Sequence, residues 1–401
     1  MLETAVDSTD YEAETSAQRD KSKGPAVGRV VSVDALRGFD MFWIIGGGRI
    51  LRSLHEIFQH PVTEGINKQL SHVKWEGFGF RHLIALDFEL LRFQDLIMPL
   101  FLFVVGVVMP FSFNKRIAAG GTKVRLYGHI IKRTMVLFVL GMIAQGHLLE
   151  YDPSKLHIFS NTLQAIAAGY FIAAVIMLHL RFIWQMAATV VLLLLFWGLM
   201  MLVAVPGHGA GILEPDVNLA IYVDRIILGT FIDGTDPPYT WILSSITFAC
   251  TVMLGVMAGH LLRSKNSGRA KVLWLLAAGA GCVLAGLIWD YWFPIIKHLW
   301  TSSFVLVSGG ISCLLLAVFY LVIDVWGFKK WAFGFVVIGM NAIAVYMATR
   351  LFDFGRIGDI FVRGLDRWCG PWTGFVHAVA GFGVIWLILW WMYRRRSFIK
   401  I

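Results

Sequence analysis

Charged residues are scarce in this chain. Only 15% of its 401 residues are Asp, Glu, Lys or Arg and 57% are hydrophobic, whereas soluble domains average about 25% charged. This composition excludes a disordered chain and a coiled coil. Cysteine is also rare. The four cysteines form no CxxC pair and three lie in apolar runs, which argues against a disulfide framework and against a zinc site.

Long apolar runs are the main feature of the chain. Ten of them approach the roughly 20 residues that a helix needs to cross a bilayer, and such runs exclude the alternating strands of a transmembrane β-barrel. The predicted fold class is all-α, a polytopic integral membrane protein with about ten transmembrane helices. The approximate spans are 31–48, 94–113, 127–147, 161–180, 183–205, 240–262, 271–292, 299–323, 331–352 and 373–393.

The distribution of Lys and Arg predicts the orientation. The formal net charge is +9, but most basic residues lie in short connections on one side, so topology explains them better than nucleic acid does. The positive-inside rule places these connections and both termini in the cytoplasm. We expect a disordered cytoplasmic tail at 1–29, the transmembrane domain at 30–393 and a basic cytoplasmic tail at 394–401. Connections 49–93 and 206–239 are then extracytoplasmic, and long loops often have a function.

The 49–93 connection contains an unusual cluster around His72. A histidine titrates near neutral pH, so it can accept a proton from an amine nucleophile or hold an acyl group. Trp75 offers a flat face for a sugar ring. The alternative is an interfacial Trp in an aromatic belt beside an exposed His. The histidines of this connection are His55, His60, His72 and His82, and none has the short spacing of a metal site, so no metal is expected.

Acidic and basic residues near the ends of two spans are further candidates. Asp95 either caps its helix or orients a nearby histidine. Asp34 and Arg37 are three residues apart and can pair on one helix face. Arg37 is then either a snorkelling side chain or a ligand for phosphate. Asp40 lies one helical turn further into the predicted span, so a position at the membrane interface explains its charged side chain less well.

Several polar side chains fall within the predicted spans. An ionisable or amide side chain at depth in a membrane suggests a function, whereas the competing explanation is a hydrogen bond between helices, worth about 0.6–2 kcal/mol. The hydrogen bond is the better explanation for Gln145, and both explanations stay open for Gln164 and Asn341. The set comprises Arg133, Gln145, Gln164, Asn341 and Arg350.

The order of these motifs resembles one family. The segments Ser32–Gly38, Gly46–Gly48, His72–Gly77 and Asp95–Phe103, in that order and spacing, are similar to the heparan-α-glucosaminide N-acetyltransferase family and its bacterial NagX-type relatives. Later matches are Leu163-Gln164, Asp236-Pro237, Leu254–Gly259 and Gly339-Met340-Asn341. The resemblance covers about residues 30–393. No single motif is specific, so the resemblance depends on their order.

The resemblance implies a transmembrane acetyltransferase in a bacterial inner membrane. Such an enzyme moves an acetyl group from cytoplasmic acetyl-CoA to the amine of an extracytoplasmic, glucosamine-type sugar. The family's catalytic histidine falls on His72, and Asp95 is expected to orient it. Arg37 and Arg133 are expected to bind the phosphates of acetyl-CoA, with Gln164 and Asn341 lining the path of its acyl end.

The expected partners follow from the same resemblance. They are the amino-sugar acceptor, which Trp75 and Asp40 are expected to contact, and the lipid bilayer. A homo-oligomer stays open, and no nucleic acid is expected.

Two positions depart from the family pattern. Ile44 stands where the animal enzyme has an Asn, and Ala165 stands where it has an Arg after Leu163-Gln164. The lost positive charge favours a free amino sugar, or one from chitin or peptidoglycan, over a sulfated polymer.

Two other classes of function stay open. One is a transporter for N-acetylglucosamine or a related sugar, which is expected to show an inverted repeat or paired broken helices. Neither is apparent in the sequence. The other is a membrane scaffold without enzymatic activity, which would leave the His72 cluster unexplained.

Overall fold

The structure is a computed structural model that describes residues 30–73, 75, 91–120, 122–148, 152, 155–232 and 234–399. The predicted tail 1–29 lies outside these residues. The described chain forms sixteen α-helices and no β-strand. They are α1 (Val31–Phe42), α2 (Gly48–Ile57), α3 (Pro61–Gln69), α4 (Phe93–Ala118), α5 (Lys123–Ala144), α6 (Thr162–His179), α7 (Phe182–Leu202), α8 (Leu219–Leu228), α9 (Ser245–Arg263), α10 (Gly268–Trp289), α11 (Ser302–Tyr320), α12 (Phe333–Met340), α13 (Ala342–Leu351), α14 (Phe354–Val362), α15 (Asp366–Cys369) and α16 (Thr373–Arg394).

The helical membrane fold is confirmed. Among the described residues, eight helical segments are long and apolar enough to cross a membrane, and a ninth is added if α12 and α13 count as one bent span. These nine correspond to the last nine predicted spans. The first predicted span, 31–48, consists of α1, a π-helical turn over Trp43–Gly47 and the start of α2.

Polar capping residues determine where several long helices begin. The Asn161 side chain accepts a hydrogen bond from the backbone N–H of Leu163 at the start of α6. Ser267 does the same for Ala270 at the start of α10. These side chains satisfy N–H groups that have no partner within the helix, so they stabilise a helix start that the apolar run alone leaves undefined.

Two helices are interrupted in the middle of apolar segments. Between α12 and α13 the chain bends by 74° at Asn341, whose backbone is not helical. Between α1 and α2 the helix is interrupted by the π-helical turn, in which Gly46 has non-helical dihedrals. Irregular backbone at membrane depth is stable only where it is buried in protein or lines a cavity. The π-helical turn lines the cavity described below, and Asn341 is buried in protein, with 1% of its surface exposed.

Glycines allow pairs of helices to pack closely. A Cβ on Gly106 of α4 would lie 1.9 Å from the carbonyl oxygen of Val252, and one on Gly255 of α9 would lie 2.0 Å from that of Phe103. Helices in membranes commonly associate through such small residues, because lipid provides no hydrophobic force between them.

We expect Gly106→Ala to destabilise the protein by about 1–3 kcal/mol, the usual cost of overpacking. The added methyl would push α4 away from α9. Thermal unfolding in detergent measures the effect. Gly281→Ala is the matched control, because a Cβ at Gly281 of α10 meets no atom within 4 Å. Equal melting temperatures for the two variants would contradict this view of the contact.

The C-terminal region forms an antiparallel hairpin of α14 and α16. Gly358 of α14 packs directly against the backbone of Gly381 in α16. His377 joins the two arms through Nδ1, 2.6 Å from Asp359, and through Nε2, 2.7 Å from Asp366. This hairpin supplies one wall of the cavity.

Candidate active site

The centre of the site is the carboxylate of Asp95, in the first turn of α4. Its Oδ1 lies 2.9 Å from His72 Nδ1 and 3.0 Å from Lys297 Nζ. Its Oδ2 accepts a hydrogen bond from the Val73 backbone N–H at 3.1 Å. Asp95 is 1% exposed, so the carboxylate is buried among these donors. Its oxygens face His72 and Lys297, as an orienting group would.

A second set of contacts holds the His72 segment against the start of α4. Arg92 Nη1 donates to the Ser71 hydroxyl at 2.6 Å and to the His72 carbonyl oxygen at 2.9 Å. Arg92 precedes α4 directly. The Ser71 hydroxyl, the His72 carbonyl oxygen and the Val73 N–H are therefore all held by Arg92 or Asp95 at the start of α4, and this restricts the position of the imidazole.

The orientation of His72 leaves one ring nitrogen available. With the Nδ1 proton assigned to the hydrogen bond with Asp95, Nε2 is the unprotonated nitrogen and can accept a proton. The side chain is 54% exposed and lines a cavity of about 900 Å³. A positioned base that opens into a cavity of this size is a suitable arrangement for general-base catalysis.

Lys297 completes the site and is not apparent as a site residue from the sequence. This residue lies between α10 and α11, and its Nζ is also 3.2 Å from His72 Nδ1. It is 8% exposed, which is unusual for lysine unless the charge is paired. The one feature of the sequence that points to Lys297 is its place in a short connection rich in apolar residues. Its partners could not be identified, because Lys297 is 202 residues away from Asp95 along the chain.

His298 and Trp75 pack beside this centre. The Trp75 indole stacks on the His298 ring, with centroids 5.4 Å apart and planes at 23°, and its Nε1 donates to the Leu213 carbonyl oxygen at 2.9 Å. Burial lowers the pKa of His298 to about 4, and the neighbouring Lys297 ammonium acts in the same direction. His298 is therefore neutral at physiological pH, and one face of Trp75 is occupied by it.

The cavity is formed by helix ends that meet on one side of the protein. The two broken helices, the first turns of α4 and α6, and the α14–α16 hairpin all contribute. Three exposed arginines line it, namely Arg49, Arg52 and Arg350, and we call this group the arginine rim. Ile44, one of the two departures from the family pattern, also lines it.

Arg37, Arg133 and Asp40 lie away from the described lining of the cavity. Arg37 pairs with Asp34 at 3.0 Å and donates through Nε to the Gly339 carbonyl oxygen at 2.7 Å, so it joins α1 to α12. The Arg133 guanidinium lies 4.5 Å from the Tyr170 ring centroid. The Asp40 carboxylate is 1% exposed, with no hydrogen-bond partner among the described residues.

The two buried amides hold backbone segments. Gln164 accepts a hydrogen bond from the Ser160 backbone N–H at 2.9 Å and donates to the Ile158 carbonyl oxygen. Asn341 accepts from the Ile399 N–H at 3.0 Å and donates to the Ser397 carbonyl oxygen at 3.3 Å. Of the catalytic residues expected from the sequence, His72 and Asp95 are in direct contact. Trp75 stacks on His298, which follows Lys297 in the chain, and Arg350 lines the same cavity as His72.

Comparison with known proteins finds distant relatives. No family model matches the chain. The chain is 26% identical to heparan-alpha-glucosaminide N-acetyltransferase from Homo sapiens over 386 residues, which cover 81% of this chain and 53% of that protein. It is 25% identical to the Mus musculus protein of the same name over 407 residues, covering 86% and 56%. The chain thus spans about half the length of these curated relatives and is distantly homologous to them over most of its own.

Proposed function

We propose that this protein is a membrane acetyltransferase that moves an acetyl group from acetyl-CoA to the amine of an amino sugar in the cavity at His72. The observation that supports it most directly is the His72–Asp95–Lys297 cluster, because it presents a positioned, accessible imidazole to a large cavity. The distant N-acetyltransferase relatives support the same chemistry. The basic connections favour both termini in the cytoplasm. The resemblance to the acetyltransferase family adds a bacterial inner membrane, a cytoplasmic donor and an extracytoplasmic acceptor to the proposal.

In the proposed reaction, His72 acts as the base. The sugar amine attacks the thioester carbonyl, the new C–N bond forms and the C–S bond breaks. His72 Nε2 takes the proton that the amine loses and returns it to the departing thiolate, which leaves as CoA. In a two-step variant, Nε2 attacks the thioester carbonyl, the C–S bond breaks and the CoA thiolate leaves. The sugar amine then attacks the acetyl group, the C–Nε2 bond breaks, and the proton that the amine loses balances the one that CoA takes up as a thiol.

The charges around His72 suit this role. The Lys297 ammonium and the Asp95 carboxylate cancel, so the cluster is neutral while the imidazole is neutral. When His72 takes a proton, Asp95 Oδ1 at 2.9 Å stabilises the imidazolium, as in other base–carboxylate pairs. The Lys297 ammonium repels the imidazolium, so His72 can release the proton again after it has taken it up.

The phosphates of the donor require cationic partners. Arg133 remains a candidate for the phosphates of acetyl-CoA. Arg37 is engaged with Asp34 and Gly339, so it would have to release these contacts. Gln164 and Asn341 act through the backbone that they hold, and Trp75 and Asp40 remain candidates for contact with the acceptor.

A sugar transporter is the second candidate function. Two interrupted helices that border one cavity are a common arrangement at transporter binding sites. The two functions are separated by incubating the purified protein with acetyl-CoA and glucosamine and measuring free CoA thiol and N-acetylated product. N-acetylglucosamine uptake into proteoliposomes, without acetyl transfer, would favour the transporter.

Donor binding gives a second test. We expect acetyl-CoA or CoA to raise the melting temperature of the detergent-solubilised protein, because a ligand that binds the folded state stabilises it by about 2.7 kcal/mol at a hundredfold excess over Kd. Pantetheine without the nucleotide serves as the control and should give a smaller shift. No shift with either nucleotide would contradict the acetyltransferase and favour the transporter.

A further inference from the structure

The arginine rim provides a concentration of positive charge that the proposed acetyl transfer does not use. Arg49 and Arg52 are three residues apart on α2 and so share a helix face, and Arg350 lies in the last turn of α13. All three line the same cavity as His72 and Lys297. They come from two helices that are separated by about 300 residues in the chain, so the tertiary structure brings them together.

These arginines have no acidic partner among the described residues. Arg52 donates through Nη2 to the Leu70 carbonyl oxygen at 2.7 Å, and the Arg350 guanidinium lies 5.4 Å from the Tyr346 ring centroid. No described carboxylate lies within 4.0 Å of a nitrogen of Arg49, Arg52 or Arg350. The guanidinium groups therefore keep donors that are free to bind a ligand.

The rest of the described lining does not neutralise the rim. Its one carboxylate is Asp353, which pairs with Arg356 at 3.2 Å. Lys297 is paired with Asp95 at 3.0 Å. The open side of the cavity is therefore positively charged, and a cavity wall of low dielectric constant strengthens that field.

We propose that the arginine rim binds an oxyanion (a phosphate, sulfate or carboxylate group) of a molecule that occupies the cavity. Arginine suits such groups, because its planar guanidinium donates two parallel hydrogen bonds to them. The inference rests on the proposed function for the identity of that molecule. The oxyanion belongs to an acidic amino sugar as acceptor or, if the donor enters the cavity from the side of His72 instead of from the cytoplasmic ends of the helices, to the phosphates of CoA.

The kinetic experiment compares Arg49→Gln and Arg350→Gln with the wild type. The acceptors are glucosamine and glucosamine 6-phosphate, and the donors are acetyl-CoA and S-acetylpantetheine, which lacks the phosphates. If the acceptor supplies the oxyanion, the preference in kcat/KM for glucosamine 6-phosphate over glucosamine falls about tenfold or more in each variant. If the donor supplies it, the preference for acetyl-CoA over S-acetylpantetheine falls instead.

Two controls isolate the charge at the rim. Arg350→Lys keeps the charge without the planar fork and should recover part of the preference. Arg363→Gln removes an exposed arginine that lies outside the described lining, and both preferences should stay at their wild-type values. The proposal is wrong if both preferences are unchanged in Arg49→Gln and Arg350→Gln, or if Arg363→Gln lowers them equally.

A binding measurement separates this inference from the proposed function. If the wild type transfers no acetyl group, the acetyltransferase proposal fails, and thermal stabilisation by glucosamine 6-phosphate and by CoA still tests the rim. Stabilisation of the wild type that is lost in Arg49→Gln and retained in Arg363→Gln supports an oxyanion site. Stabilisation of the wild type by neither compound, or equal stabilisation of wild type and Arg49→Gln, overturns it.

Discussion

Replacing His72 by alanine should abolish acetyl transfer while leaving acetyl-CoA binding nearly intact. A positioned base contributes about 10²–10⁴-fold to a rate, and the loss is larger if His72 also holds the acetyl group. The nucleotide of the donor is expected at the opposite, cytoplasmic ends of the helices, so it should not sense the substitution. Transfer is measured as product formed, and donor binding as thermal stabilisation by acetyl-CoA.

The neighbouring histidines provide the controls for this experiment. His55 Nδ1 lies 3.2 Å from the Thr63 hydroxyl, and the His60 side chain caps α3 by accepting from the Val62 N–H. Neither lines the described part of the cavity. Their alanine variants should keep most activity, with a small loss of stability for His60. His82 lies outside the described residues. Wild-type transfer by His72→Ala, or greater loss in His55→Ala, would show that His72 is not the base.

Replacing Lys297 by methionine should lower both activity and stability. The change leaves the buried Asp95 carboxylate without its cation, and breaking a buried pair in this way costs about 3–5 kcal/mol. Without the Lys297 ammonium, the Asp95 carboxylate favours the protonated form of His72 more strongly. A higher pH is then needed to free the base, so the acid limb of the pH–rate profile should move to higher pH. The pH profile of kcat/KM and the melting temperature measure these two effects.

Two further variants keep the Lys297 experiment informative if the protein folds poorly. Lys297→Arg retains the charge and should keep more stability than Lys297→Met. The double variant Lys297→Met with Asp95→Asn removes both charges and should regain stability without regaining activity. A double variant as active as the wild type would show that Asp95 and Lys297 serve only the fold.

The membrane fold could be predicted because hydropathy is a local property of the sequence. A run of about 20 apolar residues crosses a bilayer as a helix whatever its neighbours are, and nine of the ten predicted spans correspond to such segments. The first predicted span differs, since Gly46 interrupts it and α2 continues beyond it. The bend at Asn341 was not predicted either. There the backbone departs from the helix, and the side chain holds the C-terminal segment, which is distant in the sequence.

The candidate site could be predicted only in part. His72 and Asp95 are 23 residues apart, and both belong to motifs that drew attention in the sequence. Lys297 is 225 residues from His72, so no pattern within a window could relate them. The roles suggested from the sequence for Arg37, Arg133, Gln164, Asn341, Trp75 and Asp40 stay predictions.

The sequence by itself determined the helical membrane architecture and singled out His72 and Asp95 as candidates, because apolar runs and polar interruptions are visible residue by residue. Only the tertiary structure decided which charges meet. It paired Lys297 with Asp95, engaged Arg37 with the backbone of α12, and left Arg49, Arg52 and Arg350 facing one cavity. The physical reason is that an electrostatic interaction depends on distance and burial, and both are set by how the helices pack rather than by their order along the chain.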